Sequence, residues 1–125
     1  MASVLDSSAI LALLLSEPGA EIVGRAVPGA VVSSLNAAEV LRVLMRRGAT
    51  RGYAEQILAG LRLRIAAFGD EDAGEAAEIG NLSPHLSLGD CACLALARRE
   101  SADQVLTADR AWAGIKLGVN VRVIR

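Results

Sequence analysis

Short apolar runs of strand length alternate along the chain with longer stretches of helical pattern. Ala2 to Leu5 is the first run. Ser8 to Ser16 follows, almost wholly apolar through Ile10-Leu11-Ala12-Leu13-Leu14-Leu15, until Pro18-Gly19 breaks the pattern. A helix apolar on every side needs cover on every side, either from a central place in the core or from a partner on one flank. Ala20 to Ala26 predicts a short helix, Pro28-Gly29 a turn, and Ala30 to Ser33 a second buried strand. A longer helix is predicted from about Leu35 to a stop at Gly48, and Thr50 can cap another that reaches about Arg62. Leu63 to Phe68 reads as a strand, Asp70 to Leu82 as a helix with its acidic residues on the exposed face, and Asn81 to Ser87 as a loop holding Pro84 and His85. A helix over Gly89 to Glu100, a strand over Gln104 to Thr107, a short helix over Asp109 to Gly114 and a strand over Val119 to Ile124 complete the series.

Strands alternating with helices predict an α/β sandwich around a central, mainly parallel sheet. No internal repeat, linker or low-complexity tract divides the chain, so residues 1–125 are expected to form a single domain. A chain of this length buries roughly two thirds of its unfolded surface. More than half of it is hydrophobic, yet it holds one Phe, one Tyr and one Trp, so the core must be built of Leu, Val, Ile and Ala.

Charge narrows the choice of partners only slightly. A net charge of -1 argues against retention on nucleic acid by an overall positive field, although a local basic patch stays possible. Twelve of the thirteen basic residues are Arg, the exception being Lys116. Arg suits bidentate contacts to phosphate, but a base-rich genome gives the same bias. Cys91 and Cys93 lie two apart in a predicted helix, where their side chains diverge; reduced, buried thiols are expected. With no basic segment leading into a long apolar run, and no stretch near the ~18 to 20 apolar residues of a membrane span, a soluble cytoplasmic protein is expected.

Against this background four acidic residues stand out. Asp6 ends the first apolar run, Glu39 lies early in a helical stretch, Asp90 follows Ser87-Leu88-Gly89, and Asp109 follows Val105-Leu106-Thr107-Ala108. Each has an ordinary explanation: Asp6 and Asp109 can cap helices, Glu39 is three residues after Asn36, and Asp90 three after Ser87, both capping-box spacings. Capping, however, needs only Ser, Thr, Asn or Asp and does not require an acid beside each strand's carboxyl end, where parallel α/β sheets bind ligands. Two carboxylates ~4 Å apart repel by about 4 kcal/mol at an effective dielectric of 20. Several gathered on one edge imply protonation or a cation.

The candidate ligands are all oxygen, which points to a hard ion, Mg²⁺ or Mn²⁺ before Zn²⁺. His85 is the sole histidine, and Cys91 cannot complete a zinc site with it alone. Carboxylate-bound divalent ions suit phosphodiester hydrolysis without a covalent intermediate. Other phosphoryl chemistries fit worse. There is no Walker-type loop and no Gly-x-Gly-x-x-Gly run. Ser8 stands where a haloacid-dehalogenase phosphatase would want a second Asp, and neither the paired acids nor the late Lys of a response-regulator receiver is convincing.

Val4-Leu5-Asp6-Ser7-Ser8-Ala9, Ser33 with Asn36 and Glu39, Leu86-Ser87-Leu88-Gly89-Asp90, and Val105-Leu106-Thr107-Ala108-Asp109-Arg110-Ala111-Trp112 together resemble a PIN-domain ribonuclease of the VapC toxin type. Order, spacing and length agree over the whole chain, while Thr50 to His85 carries no diagnostic residue. The resemblance implies a PIN-like three-layer α/β/α sandwich, a Mg²⁺ or Mn²⁺ site, and metal-dependent endoribonuclease activity. It implies that Asp6 and Asp90 are the principal metal ligands and that Asp109 completes the site directly or through water. Glu39 would bind a second ion or orient the attacking water, and Thr107 and Ser7 would steady the carboxylates through their hydroxyls. It further implies a cognate antitoxin covering the active edge, and a homodimer. A PIN nuclease that processes RNA without a toxin role, and a catalytically silent interaction module whose acids merely cap helices, are the alternatives.

Arg42 and Arg46 fall three and seven residues after Glu39, on roughly one helical face. They form either an intrahelical ion pair with a solvated face or a basic rim for RNA phosphates, which Arg47 and Arg51 would extend. Tyr53, Phe68 and Trp112 are too sparse for a base-stacking platform, so any selectivity is expected to follow RNA shape.

Overall fold

Val4 and Leu5 are neighbours on the first strand, and each enters a different hydrophobic core. The same division separates Val31 from Val32 and Val105 from Leu106. Side chains alternate across a strand, so a sheet with apolar residues at both phases must be covered on both faces, as parallel sheets are. The computed structural model describes residues 2–125. Its strands are β1 (Ser3–Leu5), β2 (Val31–Ser33), β3 (Arg64–Ala66), β4 (Gln104–Thr107) and β5 (Val121–Val123). They form one all-parallel sheet in the order β3-β2-β1-β4-β5.

The helices are α1 (Ser7–Leu14), α2 (Ala20–Ala26), α3 (Ser34–Arg46), α4 (Arg51–Ala59), α5 (Asp70–Leu82) and α6 (Leu88–Arg99). Residues of α1 to α4 share a core with Leu5, Val32 and Leu106, whereas α5 and α6 pack with Val4, Val31 and Val105. This is the expected α/β/α sandwich. The chain adds β2 and β3 on one side of β1, then crosses back through α5 and α6 to place β4 on the other. The β1–β4 seam is therefore the switch point at which a parallel sheet opens a binding crevice at its strand ends.

The apolar helix α1 has a structural explanation. It packs against α2, α3 and β4, with Ala9, Ile10 and Ala12 buried and no large apolar side chain of the helix fully exposed. The chain itself covers the inner face of the helix, while Leu11, Leu13 and Leu14 stay half-buried. Gly48, with φ +107°, follows α3 by two residues, a conformation that favours glycine. The Thr50 hydroxyl caps α4 by accepting from Tyr53 N at 3.2 Å.

Several expectations need correction. The segment Asp109 to Gly114 holds only a 3₁₀ turn, Arg110–Trp112, and strand β3 is shorter than Leu63 to Phe68. At the sheet edge Arg64 and Ile65 are exposed, so half the predicted strand has no sheet surface to cover. Helix α5 does not carry all its acids outward. Asp72 lies on the inner stripe with Ala76 and Ile79, 3 % exposed. It accepts from Arg99 Nε at 2.9 Å and Arg99 Nη2 at 3.1 Å, a bidentate pair that ties α5 to the end of α6. No helix among the described residues is long and apolar enough to cross a membrane.

Candidate active site

Asp6 directly follows β1 and precedes α1, the position of a cap, yet its carboxylate makes no cap hydrogen bond. It turns toward the seam. Ser8 Oγ donates to Asp6 Oδ2 at 2.6 Å, and Thr107 Oγ1, from the end of β4, donates to the same oxygen at 3.0 Å. Both hydroxyls are themselves oriented by the backbone beyond β4. Ala108 N donates to Ser8 Oγ at 2.9 Å and Asp109 N to Thr107 Oγ1 at 3.1 Å. A hydroxyl has one proton to give, so these N–H groups occupy acceptor lone pairs while the two O–H bonds aim at Asp6. The Ser8–Thr107 approach of 3.2 Å then brings two committed donors side by side.

The other carboxylate oxygen, Asp6 Oδ1, is buried without a hydrogen-bond partner. Burial is the main reason the Asp6 carboxyl is pushed up to about 6; the Ser8 and Thr107 hydroxyls oppose the rise, while the charges of Asp90 and Glu39 add to it. Asp90 and Glu39 both lie at the start of α6, Glu39 against Gly89. Cys93, fully buried in that helix, has its thiol pushed far up by burial and then by Asp6, Asp90 and Glu39. Cys91 is also buried, and both cysteines are free, as expected.

Asp90 lies in the first turn of α6, where capping and exposure coexist. Ser87 N donates to Asp90 Oδ2 at 2.9 Å and Asp90 N to Ser87 Oγ at 3.1 Å, a complete capping box. One oxygen suffices for the box, and a carboxylate has two. Asp109 also caps, accepting from Ala111 N at 2.9 Å through Oδ1. It is exposed, and its charge is not among those that raise Asp6. Asp6 thus feels the charges of Asp90 and Glu39, while Asp109 stands at the rim, its backbone N–H joined to Asp6 through the Thr107 hydroxyl.

Glu39 stands in the second turn of α3 because Ser33, rather than Asn36, caps that helix, accepting from Leu35 N at 3.3 Å. Asn36 lies inside the helix, fully buried, and donates to Glu39 Oε1 at 2.9 Å and to the Gly89 carbonyl at 3.0 Å. The capping-box reading of Asn36 and Glu39 is thus replaced by a side-chain bond between them. The Ser7 expectation is corrected as well: the hydroxyl that reaches Asp6 belongs to Ser8. Ser7 is the first residue of α1, whereas Ser8 is turned back toward β4. The serine pair itself was the available signal, and choosing between its members required the path of β4.

Among the described residues no group of three or more His, Cys, Asp or Glu side chains stands close enough to hold a metal ion. What fits a hard cation is the donor chemistry. Asp6 offers a buried, unpartnered carboxylate oxygen, with the Asp90 and Glu39 carboxylates acting on it. His85, exposed in the loop before α6, adds no nitrogen ligand to that set.

Comparison by sequence with curated proteins found no match. Solved structures of similar fold include a toxin–antitoxin complex from Klebsiella pneumoniae, at TM-score 0.75 and 19% identity, covering 94% of each chain. They include VapBC2 from Rickettsia felis bound to a DNA fragment from its promoter, at 0.72 and 14%, covering 98% of each. A third is Mycobacterium tuberculosis VapC20, described as a toxin that cleaves the sarcin–ricin loop, at 0.69 and 20%, covering 94% of this chain and 98% of that one. Identities this low establish the fold alone. The PIN domain family model matches residues 3–116, a span that contains Asp6, Glu39, Asp90 and Asp109, and the chain belongs to the PIN domain family.

Proposed function

We propose that the chain is an endoribonuclease that uses Mg²⁺ or Mn²⁺ to hydrolyse RNA phosphodiester bonds, and that it serves as the toxin of a toxin–antitoxin pair. The divided environment of Asp6 carries this reading. One oxygen is held by two oriented hydroxyls while the other is buried without a partner. A buried carboxylate that is held in place and left half-satisfied costs stability unless it serves something. PIN family membership and the likeness to VapC-type structures support a nuclease.

Asp6 and Asp90 would hold the ion, with Asp109 joining from the rim directly or through water. A divalent ion bound there supplies charge neutralisation at the phosphoryl group and acidifies a coordinated water. Ser8 and Thr107 fix the Asp6 carboxylate so that it need not reorganise when substrate arrives. Glu39 orients the attacking water or holds a second ion.

Structures named as toxin–antitoxin complexes share this fold, which supports an antitoxin partner. Exposed Met45, Tyr53, Leu82 and Leu88 supply apolar surface for that partner or for a second copy in a homodimer. A silent module whose acids only cap helices is favoured at Asp90 and Asp109, where caps are present, and opposed at Asp6, where none is.

Metal-free protein given Mg²⁺ or Mn²⁺ should cut RNA, and Asp90→Asn should not. Robust cleavage by an Asp6→Ala, Asp90→Asn double variant, free of contaminating nuclease, would overturn the reading. Growth arrest on induction, relieved by coexpression of the adjacent gene, separates a toxin from an RNA-processing nuclease.

A further inference from the structure

Gly89 is buried in the first turn of α6, immediately before Asp90. A Cβ built on it would lie 2.4 Å from Glu39 Oε2 and 2.7 Å from Glu39 Cδ, well inside contact distance. The Glu39 carboxylate thus occupies the space a side chain at position 89 would fill. Asn36 holds it there. Its two amide protons go to Glu39 Oε1 at 2.9 Å and to the Gly89 carbonyl at 3.0 Å. Both partners are acceptors, so the amide nitrogen must face them, and no proton remains for anything else.

We infer that Asn36 is a positioning residue that clasps the Glu39 carboxylate onto the first turn of α6, and that glycine at 89 is required for this clasp. The arrangement joins two segments 53 residues apart and sets the spacing between Glu39 and Asp90, which is a property of neither helix alone. Its consequence for catalysis rests on the proposed nuclease function, whereas the clasp itself does not.

The clasp separates stability from function in an unusual direction. Gly89 lies in a helix with no positive φ, so alanine suits its backbone better than glycine does. The obstacle is the end of a flexible side chain, which can swing away. Gly89→Ala gains helix propensity but leaves a buried Asn36 proton without its acceptor, so it should melt close to the wild-type temperature while displacing Glu39. A purely structural glycine would do the reverse, losing stability and leaving metal response unchanged.

Three measurements test this on the full chain. In metal-free protein, exchange of the Asn36 side-chain NH₂ protons should be slow beside that of exposed Asn81, and should become fast in Gly89→Ala. Mn²⁺ titrated by calorimetry should bind Gly89→Ala, and separately Asn36→Ala, about tenfold or more weakly than wild type. The Asn36→Ala, Gly89→Ala pair should be no worse than the poorer single variant, since both remove one interaction. Fast Asn36 exchange in the wild type, or Asn36 exchange in Gly89→Ala that stays as slow as in the wild type, would overturn the inference. Mn²⁺ binding without RNA cleavage by the wild type would remove the nuclease reading and leave the clasp standing.

Discussion

Thr107 Oγ1 reaches across the β1–β4 seam to donate to Asp6 Oδ2 at 3.0 Å, while accepting from Asp109 N at 3.1 Å. One hydroxyl thus joins the buried acid to the backbone of the rim acid. Thr107→Val keeps the shape and removes both bonds. The variant should lose about 1 to 2 kcal/mol of stability, because a buried carboxylate forfeits a donor, and the Asp6 carboxyl should rise further. Cleavage should fall roughly 10- to 100-fold, the usual range for outer-shell partners of a metal ligand. Denaturant unfolding and single-turnover cleavage of the same preparation measure both. Unchanged cleavage with reduced stability would show Thr107 to be only a structural bond.

Metal-free stability should fall as pH rises. The folded state pushes the Asp6 carboxyl up to about 6, above the ~3.9 of an exposed aspartate, so folding favours the proton. The associated stability is fully present below the unfolded value and is lost as pH rises through about 6. A difference of this size is worth about 3 kcal/mol as an order of magnitude. Asp6→Asn removes the dependence, so it should be more stable than wild type at pH 8 in chelator, with the gap closing toward pH 4. Mn²⁺ should reverse that order at neutral pH, adding about 2.7 kcal/mol to the wild type at a hundred times its dissociation constant. If Asp6→Asn gains as much from Mn²⁺ as the wild type does, Asp6 is not a ligand.

The sheet and its parallel sense are legible in the alternation of apolar runs with helical stretches, because burial on two faces leaves no polar phase in the central strands. Asp72 is not legible that way. Its stripe partners Ala76 and Ile79 mark the inner face of α5, but an acid on an apolar stripe has no local reason to be there. The reason, Arg99, lies 27 residues away. Ser8 and Asn36 were obscured for the same cause: each takes its role from a segment at least 50 residues distant in sequence. Local spacing had suggested a cap for one and passed over the other.

The Asp72–Arg99 pair makes its own prediction. Arg99→Ala leaves a carboxylate with 3 % exposure facing only Gly69 N at 3.3 Å. Breaking a fully buried pair costs about 3 to 5 kcal/mol, but Arg99 is about a third exposed, which lowers the expected loss to about 2 kcal/mol. Asp72 and Asp90 belong to opposite ends of the α5–α6 unit, so kcat at a temperature where the variant stays folded should match wild type. A large loss of cleavage in folded Arg99→Ala would show that this pair sets the register of α6 and thereby of Asp90.

Arg42 and Arg46 follow Glu39 along α3 and are exposed. Neither forms an ion pair among the described residues, whereas Arg51 pairs with Glu55 at 3.5 Å. The intrahelical pair with Glu39, one of the two arrangements the spacing allows, is thus not formed. On the proposed nuclease reading, two unpaired guanidinium groups on the helix that carries Glu39 would offset the repulsion between an RNA phosphate and the acids. If they receive phosphates, RNA binding in chelator, where no cleavage occurs, should weaken with salt. Replacing each with alanine should lower the slope of log K against log salt by about 0.7 to 0.9 per residue. Arg51→Ala, which removes an already neutralised charge, should change it less. Equal slopes for wild type and the Arg42→Ala, Arg46→Ala double variant would assign this face to solvent or to a protein partner.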